Sequence, residues 1–307
     1  MTRSLPTVSM ADSDVPELPD SHLRERVAGH PDAGWFWKSG AGSVANIHTM
    51  LGIAGKSFTD FPRALEFGCG CGRMLLHLQE VGKTVELYGT DIDAEAIAWA
   101  QAHIPWVRCS VNEGLPPLAF PDGHFDLVFN QSVFTHLDER YQDAWLAELR
   151  RVVKPGGYLV LSVSGEHPFG QLVQAHRDAG GNPEHLLHEY RTNGIVFIED
   201  DGWKGGPFPD FYHSTFHAPW YVFQHWTRFF DLKAYVVRGS LDFQDYLLLR
   251  RPAADVPVLP AKPTAGTSAT ATAGAAAGAP LSARTDSRRL SQRVLRGVKR
   301  RLRRLVG

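Results

Sequence analysis

The sequence is poor in cysteine. Cys69, Cys71 and Cys109 are the only three thiols in 307 residues, too few for a disulfide framework, and they fit a reducing compartment. The Cys69-x-Cys71 spacing hints at a metal, but no second Cys pair completes a four-ligand set, so no metal site is expected. Long apolar runs are also missing. Nothing approaches the ~18 consecutive apolar residues of a membrane-spanning helix. The stretch Met1–Asp20 is polar and carries prolines, so no signal peptide is expected. What remains is a cytoplasmic globular protein, and a hydrophobic content of 43% is enough for a full core.

Net charge is nearly absent too, at −1, but that value hides an asymmetry. Residues 251–307 carry twelve Lys and Arg against Asp255 and Asp286, a balance of +10, which leaves −11 for the body. An acidic body argues against a globular surface that grips nucleic acid and gives the tail a partner of its own. Residues 253–283 are Ala, Pro, Thr and Gly without periodicity and read as a flexible linker. Residues 284–307 read as a basic amphipathic helix. Leu290, Val294, Leu295, Val298, Leu302, Leu305 and Val306 share one half of the wheel, and most of the arginines share the other. Such a helix suits an anionic membrane surface, with RNA or a protein groove as alternatives.

Ahead of these lies a body of alternating strand and helix. Residues 1–60 read as a disordered lead followed by a helical lid. The lid has a short helix at Ser21–Ala28 capped by Ser21, an aromatic cluster Trp35-Phe36-Trp37, and a helix over Ser43–Ile53. From residue 61 the pattern predicts strands at 63–67, 84–90, 107–111, 125–129 and 158–163. Helices are predicted over 72–80, 94–103 and 143–153, the last ended by Lys154-Pro155-Gly156-Gly157. This alternation implies an α/β doubly wound sheet, with ligands outside the carboxyl ends of its strands. Residues 166–220, rich in His, Gly, Pro and aromatics, break the alternation and read as a substrate-shaping insertion. A helix over 220–230 and strands at 232–238 and 244–250 close the 61–252 domain.

The stretch Leu65-Glu66-Phe67-Gly68-Cys69-Gly70-Cys71-Gly72-Arg73 organises all of this. It reads as a buried strand end, a glycine turn and the start of a helix, the arrangement of a nucleotide-cofactor site. About 20 residues on, Tyr88-Gly89-Thr90-Asp91 ends a second strand in an acid, the spacing at which a carboxylate reaches ribose hydroxyls. The two motifs together resemble the class I S-adenosylmethionine-dependent methyltransferases, closely over residues 60–165 and more loosely to 252.

The resemblance implies a Rossmann-like doubly wound sheet, mostly parallel, with an antiparallel closing strand and helices on both faces. It implies S-adenosylmethionine as cofactor. The backbone of Gly68, Cys69 and Gly70, within the turn that Gly72 completes, would approach its methionyl and ribose parts. Glu66 would order the loop or meet the amino group, directly or through water. Asp91 would take both ribose hydroxyls, although capping the next helix is an alternative that Asp93 fits better. Ile92 would pack on the adenine, and Asn112 and Glu113 would read its edge, with Asn112 standing where the family often has Asp. Asn130 and Gln131 would contact the methionyl end.

Asn130-Gln131-Ser132-Val133-Phe134-Thr135-His136-Leu137, with Trp145–Val152 and Gln244-Asp245, resembles a subfamily associated with bacterial surface glycan assembly. That implies a hydroxyl acceptor on a glycan or glycolipid precursor, with a small molecule or RNA as alternative acceptor, or a non-catalytic scaffold of the same fold at the membrane surface. The enzyme would be peripheral at the inner face of the membrane through residues 284–307. A sugar hydroxyl calls for a base, and histidine is the economical choice. His136 and His167 follow strand ends and are the candidate bases, with bracing of their loops as the alternative. His213 and His217 in the insertion are candidate substrate residues, together with Trp203 and Tyr212, which suit stacking on a sugar ring or packing of the insertion.

Overall fold

The computed structural model describes residues 16–199 and 211–253. The start of the expected lead, Trp203, the expected linker beyond residue 253 and the basic segment 284–307 lie outside the described residues. Two helices, α1 (Ser21–Ala28) and α2 (Ala33–Ile53), precede the first strand. The central sheet is built from β1 (Arg63–Phe67), β2 (Glu86–Asp91), β3 (Val107–Val111), β4 (Phe125–Phe129), β5 (Val153–Val163), β8 (Asp231–Ser240) and β9 (Gln244–Arg250). Its order is β3-β2-β1-β4-β5-β9-β8. The first five strands run parallel, while β9 runs antiparallel to both β5 and β8. This is the expected Rossmann-like sheet with its antiparallel closing strand. The strand order reverses between β1 and β4, where a crevice opens at the carboxyl ends.

Helices cover both faces. On one face, α2 and α3 (Ala94–His103) bury Phe36, Ile47, Leu51, Ile97 and Ala100 against the sheet. On the other, α4 (Glu139–Val152) and α7 (Pro219–His225) bury Trp145, Leu146, Leu149, Val152, Tyr221 and Val222. Leu146 and Leu149 are fully buried, and each contributes about 1.5–3 kcal/mol by leaving water. The insertion holds α5 (Glu166–Asp178), α6 (Glu184–Thr192) and a two-stranded ribbon of β6 (Ile195–Ile198) and β7 (Ser214–His217). It has its own core, including Phe169, Leu172, Leu186, Val196 and Phe216.

Three local expectations are corrected. The segment after the glycine turn forms no α-helix over 72–80, only 3-10 turns at Leu75–His77 and Val81–Lys83. Met74, Leu75, Leu76 and Leu78 are all buried, and Arg73 and His77 pack on α2, which leaves only Gln79 and Glu80 exposed, too little of a solvated face for an amphipathic helix. The cap of α1 is Asp20, whose carboxylate accepts from Leu23 N at 2.8 Å, and not Ser21. Trp35, Phe36 and Trp37 stand inside α2, which begins ten residues ahead of Ser43 because Asp32 caps it through Trp35 N.

Candidate active site

Strand ends of β1, β2, β3 and β4 converge on a cavity of about 620 Å³, which α1, α2, the start of α5 and the β8–β9 turn also enclose. At one end, Gly68 and Gly70 have φ of 78° and 53°, a backbone region that side chains resist. Both also need their missing side chain. A Cβ on Gly68 would stand 2.3 Å from Val133 Cγ2, and one on Gly70 would stand 2.6 Å from Val27 Cγ1 of α1.

The loop amides are already used. Gly68 N and Cys69 N donate to Thr90 O at 2.8 and 3.0 Å, and Gly70 N donates to Asp91 Oδ2 at 2.7 Å. Asp93 N donates to the other oxygen of Asp91 at 2.9 Å. Backbone therefore fixes the Asp91 carboxylate from both sides, each oxygen keeping a lone pair for a ligand. Burial pushes its carboxyl up, and those amide bonds pull the other way. Asp93 is the cap of α3, through Glu95 N and Ala96 N at 3.1 and 3.2 Å. Asp93 and Glu95 also hold Arg26 of α1, at 2.6 and 2.8 Å, so the first helix is pinned over the glycine loop.

Of the residues expected around the cofactor, Gly68, Gly70, Asp91, Ile92, Asn112 and Gln131 line the cavity. Glu66, Cys69, Gly72, Glu113 and Asn130 stand off its wall. Cys69 packs beside Cys109 against Gly89, and Gly72 is pressed against Ile104, so both serve packing. Glu66 is buried, its Oε2 has no hydrogen-bond partner among the described residues, and burial raises its carboxyl well above the usual range while Arg73 opposes that. Asn130 accepts from Ser162 N at 3.1 Å and so braces the loop it begins.

The expected S-adenosylmethionine fits this end. Asp91 presents a fixed carboxylate, and Asn112 has a buried Oδ1 without a hydrogen-bond donor among the described residues, while its amide nitrogen donates to Glu113 O at 2.7 Å. The first suits ribose hydroxyls and the second an exocyclic amine.

The other end is built from side chains. His136 ends a 3-10 turn, and its Nδ1 lies 2.7 Å from His213 O. A carbonyl only accepts, so Nδ1 carries the proton and the lone pair of the neutral ring is on Nε2. Its ring stacks on Tyr212 at 4.2 Å. His167 Nε2 lies 3.0 Å from the Gln171 amide nitrogen, a donor that occupies the lone pair there. His136, His167 and Tyr212 all line the cavity.

His213 and His217 do not. His213 holds His136 through its backbone on both sides, its N donating to His136 O at 2.9 Å. His217 is fully buried against Gln142 of α4, 2.9 Å from its amide nitrogen, and burial pushes its imidazole down to about 3. Its expected contact with substrate is therefore corrected to a neutral core contact.

Sequence reasoning missed Arg73, Ser132, Gln171 and Gln244 as wall residues. Ser132 has φ 62°, its N donates to Ser162 Oγ at 2.8 Å, and Gln244 Nε2 donates to its hydroxyl at 2.8 Å. Arg73 stood in the glycine stretch itself, and a cation directly after such a loop was the available signal.

The family model described as a methyltransferase domain matches residues 65–161. That segment is similar to methyltransferase domains. It contains Glu66, Asp91, Asn112, Gln131 and His136, whereas His167, Gln171, Tyr212 and Gln244 lie beyond it. Over 153 residues the chain is 30% identical to the fatty-acid O-methyltransferase of Mycolicibacterium smegmatis, covering 48% of this chain and 53% of that relative. It is 31% identical over 132 residues to the ubiquinone/menaquinone biosynthesis C-methyltransferase UbiE of Cupriavidus necator, covering 39% and 51%. The chain thus spans about half the length of these curated relatives. A SAM dependent methyltransferase structure from Aquifex aeolicus aligns over 76% of this chain and 100% of its own, at 17% identity and a TM-score of 0.44.

Proposed function

We propose that this chain is an S-adenosylmethionine-dependent methyltransferase acting on a hydroxyl of an acceptor of the glycan or glycolipid class. The observation that carries the reading is one continuous cavity, with the Asp91 carboxylate at one end and, at the other, His136 with its tautomer fixed by the His213 carbonyl. When bound, the cofactor supplies a methyl group already activated on a sulfonium. The chain then has to position the acceptor and accept its proton. His136 Nε2 takes that proton, and the His213 carbonyl steadies the imidazolium that forms. Ser132, Gln131 and Gln244, braced from β5 and β9, orient the hydroxyl.

The acceptor end is lined by neutral hydrogen-bonding groups, chiefly Gln131, Gln171 and Gln244, and by Tyr212 and Phe243. This lining favours a polyol face stacked on a ring over the carboxylate named for the fatty-acid relative. The only acid of that wall among the described residues, Asp242, is paired with Arg238 at 2.7 Å. The basic segment 284–307 holds the enzyme on an anionic membrane. Deleting it is expected to move the protein from the membrane to the soluble fraction with cofactor affinity unchanged.

Calorimetric titration of the full chain with S-adenosylhomocysteine, followed by transfer of labelled methyl to neutral glycosides, nucleotide sugars, lipid-linked glycans and fatty acids, tests the whole. Failure of the folded protein to bind S-adenosylhomocysteine removes the reading. Transfer to fatty acids alone removes the acceptor class.

A further inference from the structure

Among the described residues two arginines line the cavity, and they differ in one respect. Arg26 is neutralised by Asp93 and Glu95. Arg73 forms no ion pair among the described residues. Its Nη1 donates to two neutral hydroxyls of α2, Ser39 Oγ at 3.1 Å and Ser43 Oγ at 3.2 Å. Among the described residues its Nε and Nη2 make no hydrogen bond, and Arg73 lines the cavity. The nearest acid is Glu66, which is itself driven toward its neutral form by burial. A guanidinium with one edge anchored and the other edge facing a cavity is a fork for a planar anion.

Its place in the sheet says which anion. Asp91 and Asn112 end β2 and β3, on one side of β1. Besides Ser39, Ser43, Cys71 and His77, the charged and polar neighbours of Arg73 are Glu66 on β1 and Tyr246 on β9, whose hydroxyl donates to Gln131 after β4, on the other side. A ligand whose ribose sits on Asp91 and whose chain crosses β1 brings its far end to Arg73. The helix that aims the arginine is held close, since a Cβ on Gly40 would stand 2.2 Å from Arg73 O.

We propose that Arg73 binds the carboxylate of the cofactor's aminoacyl end, and that Ser39 and Ser43 of α2 are the positioning residues that aim it. This rests on the S-adenosylmethionine reading above and assigns the first helices a part in cofactor recognition.

The test compares S-adenosylhomocysteine with 5′-methylthioadenosine, which keeps the nucleoside and lacks the aminoacyl group. Dissociation constants are measured on the full chain, with thermal midpoints as a control for folding. The wild type is expected to prefer S-adenosylhomocysteine by roughly 10- to 100-fold, the effect of a charge-assisted pair. Arg73→Met is expected to erase that preference while binding 5′-methylthioadenosine as the wild type does, and Arg73→Lys to restore part of it. The double variant Ser39→Ala/Ser43→Ala keeps the cation and loses its anchor, so S-adenosylhomocysteine alone should weaken several-fold. That variant decides the matter if Arg73→Met does not fold. Equal weakening of both ligands, or no weakening of S-adenosylhomocysteine, in the folded variants overturns the assignment. A wild type that binds neither ligand overturns the cofactor reading instead.

Discussion

The two ends of the cavity are made of different material. The end at Gly68 and Asp91 is backbone: carbonyl and amide groups of β1 and β2 fix the loop and the carboxylate, and glycine conformations set the approach. The end at His136 and His167 is side chain, drawn from α5, the β8–β9 turn, the β4 loop and Tyr212. A backbone-built site holds one ligand shape and changes little with substitution elsewhere. A side-chain site can be rewritten residue by residue over the same sheet, which is how one fold serves many acceptors. The methyltransferase match respects this division, since residues 65–161 contain the first end and only part of the second.

Substitutions at the two ends should therefore separate binding from turnover. The largest effect is expected from His136→Ala, with turnover down roughly 10²- to 10⁴-fold and S-adenosylhomocysteine affinity unchanged. Steady-state kinetics beside calorimetry read both, and an equal loss in both would make the two ends one unit. Asp91→Ala should weaken S-adenosylhomocysteine roughly 100-fold, because it removes the proposed ribose acceptor and leaves Gly70 N without its partner. Cofactor binding that survives Asp91→Ala would deny the backbone end its role.

A smaller effect comes from the core beneath the acceptor end. The buried imidazole of His217 lies near 3 when folded, so only the unfolded chain gains a proton as pH falls through about 6.5. The stability it gives is complete above that value and is lost on acidification. Between pH 7.5 and 5.5 His217 should account for about 1 kcal/mol of the loss, alongside His77, which burial also lowers, to about 4, and His217→Gln should remove that share in urea unfolding curves. The smallest change expected is for Arg26→Ala, which unpins α1 from Asp93 and Glu95. S-adenosylhomocysteine should then dissociate roughly five-fold faster in stopped flow, with turnover chemistry untouched in single-turnover runs.

The same division governs what was legible in the sequence. Helix α3 and strands β3, β4 and β9 begin and end where pattern and caps put them. Asp91 and the glycines of the first end were readable because backbone requirements leave local marks. The segment after Gly72 was misread because its apolar residues imitate one helix face, while Arg73 and His77 of the opposite stripe pack on α2 instead of facing water. His217 was misread because a histidine in a loop-rich insertion carries no sign of depth. That depth comes from α4, which meets it 75 positions away in the chain. Gln244 and Ser132 meet across a separation of 112 residues, and neither carries a local signal of the other. Arg73 was visible as a residue, but its partners on α2 were not.

Ser132 gives this architecture a measurable tension. Its φ of 62° is a conformation glycine holds without strain and serine holds at a cost of about 1 kcal/mol. A glycine there would relax the backbone, yet it would delete the hydroxyl that Gln244 grips. For protein engineering this marks an exchange rate. Ser132→Gly is expected to raise the thermal midpoint while slowing turnover, so a screen for thermostability alone would select a more durable and poorer catalyst at this position.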